Sequence, residues 1–204
     1  NRNLPPQTNS NTPNSTFTED NPPLAIDPAI ALSDDTNDRM IQATISIVGN
    51  YRNGEDVLNV TLQGSATGSF DAPTGVYTIS GTGTLAEYQA LLQSETYHNS
   101  NQNTDTSPRT IEFAVTDFDN TDPSSDAFPE AQTIVSINSV NDAPVLTTSV
   151  SGSATFNENG TPVIIDPGVT VSDVDHTTLA GATVSITGNF VASEDVLLFT
   201  NQNG

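Results

Sequence analysis

Cysteine, tryptophan and lysine are absent from this 204-residue chain, and methionine occurs once. Without cysteine there is no disulfide, no thiol nucleophile and no thiolate metal site. Without lysine there is no phosphate-cradling Gly-rich loop ending in Lys, and no Lys–Asn isopeptide crosslink. All the positive charge lies in four arginines, Arg2, Arg39, Arg52 and Arg109, against 25 acidic residues, for a net charge of −21. Four scattered arginines cannot build the basic face that displaces counterions from nucleic acid. For the same reason anionic lipid is not a partner. No apolar run approaches the length of a membrane span, and membrane insertion is not expected. The first residues lack the charged start and apolar core of a signal peptide. Histidine is nearly absent as well. His98 and His176 stand in unrelated contexts, and no G-x-S-x-G elbow or H-x-x-x-H spacing accompanies them, so an enzyme is not expected.

What is present is a repeat. Phe17-Thr18-Glu19 returns 139 residues later as Phe156-Asn157-Glu158. The same offset carries Ile26-Asp27-Pro28 onto Ile165-Asp166-Pro167 and Ser33-Asp34 onto Ser172-Asp173. It also carries the run from Ala43 to Tyr51 onto Ala182 to Phe190, and Glu55–Leu58 onto Glu194–Leu197. Self-similarity at a fixed period signals tandem architecture. The expected organisation is a linker from a preceding repeat over 1–15, a whole repeat over 16–139, a connector over 140–155, and the N-terminal half of a second repeat over 156–204. On this reading the second copy is truncated and the chain is a fragment of a longer array.

Period-two alternation predicts strands. Ile41, Ala43, Ile45 and Ile47 are expected to share one face, as are Leu58, Val60 and Leu62, and Ile111, Phe113 and Val115. A strand from Val76 follows a turn at Asp71–Gly75, and Thr133–Val140 reads as the last strand. One helix interrupts the pattern. Thr84 with Glu87 forms a capping box, and Leu85, Tyr88, Leu91 and Leu92 make an apolar stripe. Many short strands at regular spacing predict an all-β fold of tandem Ig-like β-sandwich repeats, with one short helix in the first.

A charge of −21 opposes compaction, and a divalent cation is the simplest neutraliser. Calcium takes six to eight oxygens, mostly carboxylates and carbonyls, and such ligands come from loops at a domain end. Four acidic elements fall at such places. Glu19 and Glu158 sit at the first strand of each copy. Asp34 and Asp35, and Asp173 and Asp175, precede a strand. Asp117 and Asp119 end the Phe113 strand. Asn141 and Asp142 lie in the connector. Against this stands the plainer reading of an Asp at a strand end as a turn former. The pairs Glu55-Asp56 and Glu194-Asp195 are read as turns, and the acidic loop from Asp117 to Glu130 as a solvated loop.

At these residues the chain resembles the cadherin superfamily in its bacterial cadherin-like branch. The connector Val140-Asn141-Asp142-Ala143-Pro144 is similar to the cadherin linker D-x-N-D-N-x-P. Asp173-Val174-Asp175 is similar to the D-x-D ligand pair, Glu19 and Glu158 to the glutamate of P-E-N, and Asp117 to the aspartate of A-x-D. The family's L-D-R-E motif has no match. Its place is taken by the segment Leu85–Thr96, which with Tyr97 is similar to cadherin-like and proteoglycan-type repeats of large bacterial surface proteins. In the first copy the D-x-D pair reads Asp34-Asp35-Thr36, and Arg2 stands where the second copy has Asn141. The resemblance implies calcium at the junction, held by Asn141, Asp142, Asp173 and Asp175 together with Asp117 or Glu19. It implies an extracellular rod at a bacterial cell surface, with adjacent repeats of the same or identical chains as partners and a cell-surface protein or glycan as target. Two other readings stand beside it. One is a filament or sheath subunit completed by strands of a neighbouring chain. The other is a carbohydrate-binding module, disfavoured by the lack of tryptophan.

Overall fold

A computed structural model describes residues 6–35, 39–118, 130–149 and 154–200, and the chain divides into two compact units, 1–145 and 146–204. The fold is mostly β-strand in several sheets, with one short helix. In unit 1 the strands are β1 (Gln7–Asn9), β2 (Asn14–Thr18), β3 (Leu24–Ala25), β4 (Ala31–Ser33), β5 (Met40–Gly49), β6 (Asp56–Asn59), β7 (Thr67–Asp71) and β8 (Val76–Gly83). Helix α1 (Leu85–Gln93) follows, then β9 (Thr96–Asn99), β10 (Arg109–Asp117) and β11 (Ala131–Asn138). A six-stranded sheet runs β2-β11-β10-β5-β8-β7, a three-stranded sheet runs β3-β9-β6, and β1 pairs with β4. β2 and β11 are parallel, while the other pairings described in unit 1 are antiparallel.

The core follows the alternation. In β10, Ile111 and Phe113 are 0% exposed, and they sit opposite Ile47 and Ile45 of β5. In β11, Thr133, Val135 and Ile137 face the same interior. Tyr97 and Leu58 from the three-stranded sheet and Tyr88, Leu91 and Leu92 from α1 join one buried cluster with them. Each such side chain contributes roughly 1.5–3 kcal/mol by leaving water. The alternation fails at one place. Met40, not Ile41, is buried, because the pairing of β5 slips between Met40 and Gln42 against β8 and between Thr116 and Asp117 against β10. A bulge of this kind turns the strand end by one residue and exchanges its faces. Leu62 also departs from its expected face. It lies beyond the end of β6 and is exposed.

Helix α1 starts where the capping box places it. The Thr84 hydroxyl accepts from the Glu87 N–H, and the Glu87 carboxylate accepts from the Thr84 N–H at 2.6 Å. The turn before β8 closes with Gly75 N–H donating to Asp71 C=O at 2.9 Å. Gly75 has φ +73°, and a Cβ there would meet the Tyr51 ring at 2.9 Å.

Part of the expected linker 1–15 is built into unit 1. Thr8 of β1 is buried. Its hydroxyl donates to Phe113 C=O at 3.2 Å and accepts from Ala131 N–H at 3.1 Å. β2 already begins at Asn14. Residues 7–9 and 14–15 are therefore strand because unit 1 supplies them with hydrogen-bonding edges.

Inside unit 1 lies a polar centre. Asp56 and Arg109 are buried, with Arg109 Nε 2.9 Å from Asp56 Oδ2. Tyr97 Oη–H and Asn99 Nδ2–H also donate to Asp56 Oδ1, at 2.5 and 2.6 Å. Asp56 does close a turn, accepting Arg52 N–H at 2.7 Å, but it is chiefly the counter-ion of a buried guanidinium.

Unit 2 carries β12 (Val145–Thr147) paired with β13 (Thr170–Ser172). Its local turns reproduce those of unit 1. Asp27 accepts N–H groups from Asn11 and Ala29, and Asp166 accepts them from Ser149 and Gly168. Asp56 accepts Arg52 N–H, and Asp195 accepts Val191 N–H. Asp20 and Asn159 have φ 65° and 61°, and Asn50 and Asn189 have 56° and 53°.

Candidate metal centre

The sites divide by position along the strands. β10 runs antiparallel to β11, with Phe113 opposite Ala131 and Arg109 opposite Val135. Asp117 therefore lies at one end of the sheet, and Asn138 lies at the other. β10 extends about 26 Å over its nine residues at about 3.3 Å per step.

At the connector end stands Glu19. It follows β2, and its N–H donates to Asn138 C=O at 2.9 Å. The residue is only 2% exposed. Its Oε2 accepts from Val140 N–H at 2.7 Å, which fastens the connector to the end of unit 1. Its Oε1 is buried and has no hydrogen-bond partner among the described residues. A carboxylate oxygen in that condition carries the full desolvation penalty of its charge, which a cation would remove. Asn141 and Asp142 come next in the chain. Asn141 is exposed and Asp142 is half-buried, and Asn141 Nδ2–H donates to Asp142 C=O at 2.8 Å. Asp20 beside Glu19 accepts from Gln102 Nε2–H at 3.0 Å, bringing the loop after β9 to the same end.

At the opposite end stands Asp117, 1% exposed and paired across to Met40. Asp34, half-buried, directly follows β4 and opens the segment that returns at Arg39. The Arg39 C=O accepts from Phe118 N–H at 2.8 Å, which sets Arg39 beside the end of β10. Asp117 thus lies at the end of the sheet opposite Asn138 and Glu19. Of Asp117 and Glu19, only Glu19 sits with Asn141 and Asp142. The length of the sheet keeps one ion from reaching both. Asp119 lies outside the described residues, as do Asp38, Asp122, Asp126 and Arg2.

In unit 2, Glu158 is exposed. Asp173, Asp175 and His176 come together, with one potential ligand atom from each lying within 4.8 Å of the others. Asp173 Oδ1 accepts the N–H groups of Asp175 and His176 at 3.0 and 2.8 Å, and His176 Nδ1 lies 3.6 Å away. Sequence reasoning passed over His176 because its counterpart in the first copy is Asn37. The contiguous run Asp173-Val174-Asp175-His176 was the available signal. His98, by contrast, is half-buried in β9, with its ring edge-on to Phe17 at 5.6 Å.

Arg109 is paired with Asp56 and Arg52 with Asp105, while Arg39 acts on Glu87. Glu112 and Glu130 hydrogen-bond to each other, which holds Glu112 below the usual carboxylate range and pushes Glu130 up to about 7.

The donor set at the connector end is carboxylate and amide oxygen without sulfur, which suits a hard cation such as calcium or magnesium. The chain matches no protein-family model, no curated protein and no solved structure. Among the described residues, no helix is long and apolar enough to cross a membrane.

Proposed function

We propose that this chain is a non-enzymatic, extracellular structural repeat of a bacterial surface protein, built from Ig-like β-sandwich units of the cadherin-like kind and stiffened by calcium. The observation that carries the reading is Glu19: buried, one oxygen fixing the Val140 N–H of the connector, the other oxygen without a partner. Calcium there takes the Glu19 carboxylate and the oxygens of Asn141 and Asp142. In unit 2, Asp173 and Asp175 are the corresponding oxygen donors. The bound ion supplies positive charge beside the Glu19 and Asp142 carboxylates. The chain's own residues do the mechanical work. Glu19 ties the connector to the strand end, and Asn141 braces the backbone at Asp142. Extracellular modules of this kind hold calcium at about 10⁻⁴–10⁻³ M.

The test is a thermal melt of the chain in calcium and in chelator, with Glu19→Gln beside it. At a hundredfold excess over its dissociation constant, one site adds about 2.7 kcal/mol. The expected result is a higher melting temperature in calcium that Glu19→Gln loses. Identical melts in calcium and chelator would overturn the calcium part.

A second reading is favoured by the apolar residues of unit 2. Val184 is 74% exposed, Leu198 75% and Phe199 90%. In a filament or sheath, strands of a neighbouring chain would cover them. Size-exclusion chromatography separates the two readings. A calcium-independent, concentration-dependent oligomer favours assembly, and a monomer stabilised by calcium favours the rod.

A further inference from the structure

Glu95 puts a carboxyl group at a core position. It follows Ser94, the C-cap of α1, and directly precedes β9, in which Tyr97 and Asn99 take the buried positions; Glu95 continues that alternation. Tyr97 and Asn99 have a polar partner in Asp56. Glu95 has none. It is 0% exposed, and both of its carboxyl oxygens are buried without a hydrogen bond.

Its backbone C=O accepts from Ile26 N–H at 3.4 Å, so Glu95 is set against the segment joining β3 to β4. That segment holds a second buried carboxylate, Asp27, also 0% exposed. Asp27 is turned to the backbone, accepting from Asn11 N–H at 3.0 Å and Ala29 N–H at 3.2 Å. Burial first, and then the nearby charge of Asp27, push the Glu95 carboxyl well above the usual range. Among the described residues Asp27 is the one charged group whose field bears on Glu95, and no arginine offsets it.

The neighbouring strand is the shortest of the three in its sheet. β3 is two residues long, pairs only with β9, and forms the edge of the three-stranded sheet. An ionised Glu95 must be hydrated, and water reaches it with least disruption by parting this edge. Local opening of this kind would expose Ile26 and Ile30, both 0% exposed when closed.

We propose that Glu95 and Asp27 form a proton-operated latch: protonated Glu95 keeps Leu24–Ile30 closed on β9, and ionised Glu95 lets that segment open. In the open or unfolded chain Glu95 has the ordinary glutamate value of about 4.3. In the closed state it keeps its proton to higher pH. Closing is therefore strongest below the ordinary value and weakens as pH rises toward the closed-state value.

The test is amide hydrogen exchange on the full chain between about pH 5 and pH 8, in chelator so that cation binding plays no part, with rates corrected for intrinsic exchange. The opening constant of residues 24–30 is expected to rise by up to about tenfold per pH unit, while the amides of β5 and β10 stay unchanged. In Glu95→Gln the dependence should vanish, with protection at pH 8 matching that of wild type at pH 5. Where Glu95→Gln folds poorly, Glu95→Met gives the same comparison with an apolar side chain of similar length. Two results would overturn the latch: wild-type protection of 24–30 that does not change with pH, or the same pH dependence in wild type and a folded position-95 variant.

Discussion

Residues 139 apart in the two units have the same local geometry and opposite exposure. Asp56 and Asp195 close the same turn, and Asn50 and Asn189 share a left-handed backbone. Yet Ile45 is 0% exposed and its counterpart Val184 is 74% exposed. Phe17 is 1% exposed against 64% for Phe156, and Val60 is 4% against 90% for Phe199. The difference lies in what covers them. In unit 1 these side chains are buried among residues of β8, α1, β9, β10 and β11. A turn is a property of four or five neighbours, whereas burial needs partners distant in sequence.

The largest way to sharpen that contrast is at the turn aspartates. Asp56→Ala strands the buried Arg109 guanidinium and should cost about 3–5 kcal/mol. Asp195→Ala loses one turn hydrogen bond and should cost about 1 kcal/mol or less. Chemical denaturation of the two variants, read against wild type, measures both. The next contrast is in the apolar face. Ile45→Ala should cost about 2–5 kcal/mol, while Val184→Ala should stay within about 0.5 kcal/mol. Equal shifts in the unfolding midpoint would break the comparison. The smallest concerns a feature unit 1 has alone. Thr84→Ala removes the cap of α1 and should cost about 1 kcal/mol, seen as a few degrees in the melting temperature.

Much of unit 1 was legible because its signals are local. Thr84 and Glu87, three apart, announced the start of α1, and Tyr88, Leu91 and Leu92 named its buried stripe. Ile111, Phe113 and Val115 announced a half-buried strand. What escaped was set by non-local pairing. The slip at Met40 depends on how β5 meets β8 and β10, so alternation alone put Ile41 on the wrong face. The Arg109–Asp56 pair was not visible in the sequence, because nothing within the segment of Arg109 reveals Asp56, 53 residues earlier. The candidate site was legible as a set of acids but not as a geometry. Sequence offered Asp117 or Glu19 as a ligand beside the connector, and only strand direction separates the two.

Residue order alone determined the all-β character, the helix, the recurring turns and the excess of negative charge. Each depends on short-range periodicity, capping or composition. Tertiary structure alone decided which acids are buried, which end of the sheet each occupies, and which carboxyl oxygens lack a partner. Those outcomes depend on desolvation and on the direction of strands brought together from far along the chain, and no local pattern encodes either.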